Sequence, residues 1–218
     1  RIREYCLNFE MEEFITVAVM HIFAVVSPGP DFALITRQCF RYGRIVALWS
    51  SLGIAVGIVF HVFLSLTGLS LLIQHQPLIF NVIKILGSLY IAFLGLVSIF
   101  STSRIRELGE DSNREVKKLK SFATGLMTNV LNPKAFIFFI TVFSLVISEN
   151  TPIMFKIFMG AYMSMATFVW FSFLSVMLTN NRANGIVYKY FPWLEKITGF
   201  LLIFISLRIL FGEVEVFF

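Results

Sequence analysis

The sequence predicts an all-α integral membrane protein in which six transmembrane helices form two inverted three-helix repeats, with Pro-interrupted first and fourth helices. Three observations predict it. Hydrophobic residues make up 57% of the 218 and charged residues only 14%, and the mean hydropathy of +0.82 exceeds what a soluble core of this size requires. Six apolar segments are each long enough to cross a hydrocarbon layer of about 30 Å, which takes about 20 helical residues. A proline-broken motif then occurs twice, with Pro30 and Pro133 separated by 103 positions.

Residues 1–13 are read as an extramembrane N-terminus, with Met11 as the expected native start because Arg1 and Arg3 run against the charge pattern described below. The first span, Phe14 to Thr36, holds the run AVVSPGPDFALI. A signal-peptide core over Phe14 to Val26 is the alternative, disfavoured by His21, by the prolines at the cleavage position and by the five spans that follow. The second span, Ile45 to Ile73, carries Gly53 and Gly57 at GxxxG spacing. That spacing lets helices approach closely and is assigned to packing within the bundle, a homodimer contact being the alternative. Leu78 to Phe100 closes the first repeat, residues 14–100. Residues 101–120 form a cytoplasmic basic linker, whose RIRELGEDSNREVKKLK suits a tether or a short amphipathic helix on anionic lipid. The second repeat, residues 121–218, contains Phe122 to Ser148, Ile153 to Leu178 and Trp193 to Phe211. Barrel strands would alternate every second residue over about ten positions, and these segments are apolar all round for far longer.

The basic residues give the orientation. Arg37, Arg41, Arg44, Arg104, Arg106, Arg114, Lys117, Lys118, Lys120, Arg182 and Lys189 fall in the first, third and fifth connections. The second and fourth, Gln74 to Pro77 and Glu149 to Pro152, hold none. Basic loops stay cytoplasmic, so both termini are expected outside. The net charge of +5 is spread over these short loops and forms no face for nucleic acid, which is not expected as a partner. Cys6 and Cys39 fall on opposite sides and lack partners at metal-ligand spacing, so neither a disulfide, a metal nor a cofactor is expected.

The two motifs put helix breakers inside greasy segments. A proline in a helix interior costs about 3 kcal/mol, so each break needs a reason. Ser27 and Asn132 are good N-cap types, and Pro28 and Pro133 suit the first helical position, so a half-helix is expected to begin at each. Such a start presents free amides and the positive end of a dipole, an anion site in waiting. Irregular backbone at that depth is tolerated only against protein or a water-filled cavity. Asp31 and Lys134 occupy equivalent places and carry charges that cost roughly 2.5 to 3.5 kcal/mol to insert, so each is expected to be paired, hydrated or functional. Asp31 is the candidate proton carrier, or a partner for Lys134; the plainer reading is a solvated charge at a helix end. Asn129 lies one turn before the second motif and can bond a substrate or the freed carbonyls. On an ideal helix His21 lies about 80 degrees from the face of Asp31, so His21, like His61, is read as hydrogen-bonded within the bundle. Lys84, Lys196 and Arg208 read as snorkelling anchors, and Trp49, Trp170 and Trp193 as interfacial residues.

SPGPDFALI with RQCFRYGR, GIAVGIVFH, KILGSLYIAFLG and FATGLMTNVLNPKAFIFF together resemble the LysE/RhtB family of bacterial amino-acid exporters, closest in the threonine and homoserine-type branch. The resemblance implies a six-helix inner-membrane carrier exporting amino acids in exchange for protons, its partners being the amino acid, protons and the bilayer. The family's Pro-containing motifs fall on Ser27, Pro28, Gly29, Pro30 and Asp31 and on Asn132, Pro133 and Lys134; with Asn129, one turn before the second motif, these are the expected substrate-binding residues, and Asp31 is the expected site of proton coupling. Ala135 and Phe136 stand where some basic-amino-acid exporters carry an acidic residue, which leans the expected substrate toward neutral amino acids. An intramembrane enzyme is disfavoured, since the spans contain no GxSxG, HExxH or aspartate pair. A thiol-redox carrier would need cysteines at the motif positions. A passive channel, or an exporter of other small metabolites, is the remaining alternative.

Overall fold

The computed structural model describes residues 2–73, 77–100, 117–147, 150–180 and 184–211, with side chains from residue 11 onward except at some helical positions. Among the described residues there are eight helices: α1 (Ile2–Val26), α2 (Pro30–Tyr42), α3 (Arg44–Ile73), α4 (Pro77–Phe100), α5 (Lys118–Val130), α6 (Pro133–Leu145), α7 (Ile153–Leu178) and α8 (Asn184–Phe211). Most of the basic linker, the second connection at 74–76, Glu149 and Arg182 lie outside the described residues, as do the side chains of Cys6, Lys84 and Arg208.

Both expected breaks are present. Met11–Val26 of α1 and α2 are together long and apolar enough for one candidate span bent by 51°, and α5 with Pro133–Phe143 of α6 for another bent by 57°. Two unbroken stretches, Arg44–Thr67 within α3 and Ile153–Leu178, are each long and apolar enough to cross a membrane, giving four candidate spans when each bent pair counts as one. Shorter apolar stretches, Ile85–Phe100 in α4 and Lys196–Leu207 in α8, accompany them. The last helix begins at Asn184 rather than at Trp193 and runs through Pro192, which forgoes only the bond to the carbonyl of Tyr188.

The start of α2 corrects the expected cap. The helix begins at Pro30 with Gly29 as its N-cap, while Ser27 lies just past the end of α1, its amide still bonded to Phe23 O at 3.0 Å. A residue before proline is pushed out of the helical region. Gly29 accordingly has φ −174° and ψ −175°, and no helix can start before the second proline. At the other break Asn132 is the N-cap as expected, its side chain accepting from the Lys134 amide at 3.0 Å, with Pro133 at the first position.

The burial pattern suits a lipid solvent. Phe63, Phe93, Phe173, Phe200 and Phe204 are exposed on the outside, whereas Ser50, Ser51, His21, His61, Asn129 and Thr167 are buried inside. α3 is central and packs against α2, α5, α6 and α7. The GxxxG pair works within the bundle: a Cβ on Gly53 would strike the Phe122 carbonyl of α5, and one on Gly57 would fall 2.5 Å from Asn129 Oδ1.

α4 and α8 form the other close pair, and their contact is reciprocal. A Cβ on Gly95 would lie 2.7 Å from Gly199 O and 3.1 Å from Ile203 N; one on Gly199 would lie 2.5 Å from Gly95 O and 3.0 Å from Ile99 N. Each glycine thus faces the gap between the other's carbonyl and the amide four residues on. In a parallel pair each would have to lie further along than the other, so the two helices cross antiparallel around this point.

Candidate functional site

The two breaks are built from each other's side chains. Lys134, in the first turn of α6, reaches the C-terminal end of α1, where its Nζ donates to Ser27 O at 2.6 Å and Pro28 O at 3.3 Å. Those carbonyls lie where the helix ladder stops, and a charged donor is a strong way to satisfy them. Asp31, in the first turn of α2, reaches the C-terminal end of α5 in turn. Its Oδ2 accepts from Asn129 Nδ2 at 2.8 Å and from Asn132 Nδ2 at 3.1 Å. A direct pairing of Asp31 with Lys134, one of the readings the sequence offered, gives way to this exchange, in which each charge serves the other break. Nor is Asp31 a solvated helix end, since its Oδ1 is buried without a hydrogen-bond partner.

His61 supplies a contact that the sequence did not reveal. In an unbroken helix the carbonyl of Asn129 would bond the amide of residue 133, and Pro133 has none. His61 Nε2, from α3, donates to that carbonyl at 2.9 Å, beside a bond from the Asn132 amide, also 2.9 Å. Its ring stacks on Phe139 at 5.8 Å between centroids and 7° between planes. At the first break Ser98 Oγ donates to Ser27 Oγ at 2.9 Å, drawing α4 to the site.

These groups surround a cavity of about 40 Å³, lined by Ser27, Gly29, Asp31, Asn129, Asn132 and Lys134 together with His21, Thr167 and an apolar wall that includes Ile58, Phe138, Phe139 and Phe171. Six of the nine expected binding residues thus share one cavity, while Pro28, Pro30 and Pro133 shape the backbone around it. His21 corrects another expectation. The 80 degrees assumed one continuous helix, and the 51° bend between α1 and α2 brings His21 onto the same cavity as Asp31. It does hydrogen-bond within the bundle, with 3.1 Å between its Nε2 and Thr167 Oγ1 of α7. Three lining residues carry a buried polar atom without a hydrogen-bond partner: His21 Nδ1, Asp31 Oδ1 and Asn129 Oδ1. Buried polar groups are normally satisfied, so this concentration marks the cavity as a place for a polar ligand or water. At about 10–15 Å³ per water, the cavity holds roughly three, too few for an amino acid.

Ties close the bundle at either end of this cavity. Thr151 Oγ1, before α7, donates to Glu13 Oε2 of α1 at 2.6 Å. At the other end Arg44 Nε of α3 donates to Thr179 Oγ1, just past α7, at 3.1 Å.

Comparison with known proteins gives the geometry a context. A family model described as LysE type translocator matches residues 22–213. A threonine efflux protein of Escherichia coli is 28% identical over 190 residues, covering 86% of this chain and 92% of that protein. An uncharacterized membrane protein of Haemophilus influenzae is 28% identical over 204 residues, covering 92% and 97%, and one of Bacillus subtilis is 28% identical over 200, covering 87% and 93%. No solved structure matches.

Proposed function

The chain belongs to the LysE type translocator family and is a membrane transporter rather than an enzyme, and from that premise we propose that it exports neutral amino acids of the threonine or homoserine kind by proton-coupled alternating access. The observation that carries this reading is the reciprocal construction of the two breaks around one cavity, with Asp31 bonded to Asn129 and Asn132 and Lys134 bonded to Ser27 and Pro28. The threonine efflux proteins among the relatives lend support to the substrate class.

The architecture proposed is six transmembrane helices in two inverted three-helix repeats in the bacterial inner membrane, with both termini outside. The equivalent placing of Pro30 and Pro133 at the first position of α2 and α6 supports it. So does the antiparallel, reciprocal seating of Gly95 and Gly199, since an axis in the membrane plane relates repeats of odd helix number.

In the mechanism proposed, an amino acid enters from the cytoplasm with its carboxylate toward the positive ends of the half-helices and Lys134, and its ammonium toward Asp31 Oδ1. The cavity widens as one half rocks against the other, which requires the Glu13–Thr151 tie to open on the way outward and the Arg44–Thr179 tie on the way inward. A proton taken by Asp31 neutralises its carboxylate and lets the empty site return. The test is counterflow in proteoliposomes with labelled threonine, homoserine, leucine and lysine, with and without an imposed pH gradient. Gradient-dependent accumulation of a neutral amino acid is the expected result. Flux that only runs downhill would replace the carrier with a channel, and exchange of none of the four would remove amino acids as the cargo.

A further inference from the structure

Beyond the two breaks, the cavity has a second polar region that the transport reading leaves without work: His21 of α1 and Thr167 of α7. Both residues are 1% exposed, both line the cavity, and among the described residues the one side-chain hydrogen bond of each is the 3.1 Å contact between them. Their neighbours here are the rings of Phe138 and Phe139, at 6.2 and 6.1 Å from the imidazole. An apolar wall would serve for enclosing an aliphatic side chain, yet His21 keeps Nδ1 buried without a partner. A neutral imidazole has one donor and one acceptor, and a hydroxyl has a donor and two acceptor positions. One bond between them leaves hydrogen-bonding capacity over on both.

We infer that the His21–Thr167 pair is the part of the site that reads a hydroxyl on the substrate's side chain, so that the carrier distinguishes hydroxy amino acids from aliphatic isosteres. The inference rests on the transport reading above and refines it. The breaks hold the groups common to all amino acids; this pair meets what differs among them. A site built to bond a hydroxyl disfavours the analogue lacking it, because its own polar atoms are then left buried and unpaired.

Threonine and valine differ by a hydroxyl against a methyl, so their exchange rates in proteoliposomes form the probe. The protein is expected to exchange threonine faster than valine by about tenfold or more. Thr167→Val is expected to lower threonine exchange at least about ten times more than valine exchange, and Thr167→Ser, which keeps a hydroxyl, to restore the preference. An unchanged threonine-to-valine ratio in Thr167→Val would overturn the assignment and leave the pair to ordered water. If that variant exchanges neither amino acid, the unsubstituted protein decides: equal rates for threonine and valine there overturn the assignment equally. Failure of the unsubstituted protein to exchange any amino acid is a different result, and removes the transport reading beneath it.

Discussion

Asp31 and Lys134 each complete the helix break that belongs to the other. The lysine ammonium holds the carbonyls of Ser27 and Pro28, and the aspartate holds the side-chain amides of Asn129 and Asn132. Two opposite charges in one site would be expected to pair directly. Instead Lys134 meets backbone carbonyls at the end of α1, Asp31 meets the side-chain amides of the two asparagines beside the other break, and Asp31 retains one oxygen without a hydrogen-bond partner toward the cavity residues. Four consequences can be measured.

Asp31→Asn keeps an acceptor for the two asparagines and removes the proton site. Exchange at equal pH is expected to fall only moderately, while accumulation driven by a pH gradient disappears; the far-ultraviolet circular dichroism should not change. Undiminished gradient-driven accumulation would take the proton off Asp31.

Gly29→Ala adds a methyl where Lys134 Cδ stands 3.1 Å away and Nζ 3.3 Å away. The backbone there is extended and accepts any residue, so the effect falls on the lysine rather than on the fold. Displacing the ammonium from Ser27 O should reduce transport by about tenfold, equivalent to 1.4 kcal/mol, with a melting temperature within a few degrees of the parent. Normal transport would show that the ammonium position is not needed.

His61→Phe removes the donor that serves the Asn129 carbonyl, and a buried acceptor left short costs about 1–3 kcal/mol. Pro133→Ala returns the missing amide to the same carbonyl. The His61→Phe loss is therefore expected to shrink by 0.5 kcal/mol or more in the Pro133→Ala background, read as a coupling energy from detergent-solubilised unfolding. Strict additivity would mean that the two residues do not serve one oxygen.

Gly95→Ala should destabilise against the intrinsic trend. Alanine is favoured over glycine inside a helix by about 1 kcal/mol, yet this Cβ would sit 2.7 Å from both Gly199 O and Ile203 Cγ1. A loss of about 1–3 kcal/mol, as for overpacking in a close contact, is expected by thermal unfolding, and Gly199→Ala should match it because the contact is reciprocal. A gain in stability would deny the close crossing.

What could be read from the sequence follows the range of the interactions. Pro133 behind Asn132 is a local signal, and the cap stands where it was expected. Ser27 looked like an equally good cap, but two prolines follow it, and the second one governs because it forces Gly29 out of the helical region. The ideal-helix angle between His21 and Asp31 failed because angles do not carry across a break. The roles of His61, Thr167 and the Gly95–Gly199 crossing depend on partners 68, 146 and 104 positions away, and nothing local in the chain announces them. The family resemblance, by contrast, lay in contiguous motifs and was readable throughout.

The lysine that serves the first break lies 107 residues beyond Ser27. At a synthesis rate of about 5–20 residues per second, the ribosome needs roughly 5 to 20 seconds to supply it. Until it arrives, any part of residues 1–100 already inserted has the carbonyls of Ser27 and Pro28 without this donor, and water or the insertion machinery must attend to them. The first half is thus not an independent unit of assembly: its folding is completed by a residue of the second. Residues 1–100 expressed alone should be degraded faster than when residues 101–218 are co-expressed in trans, as pulse-chase labelling would reveal; equal lifetimes would mean that the first break closes without help.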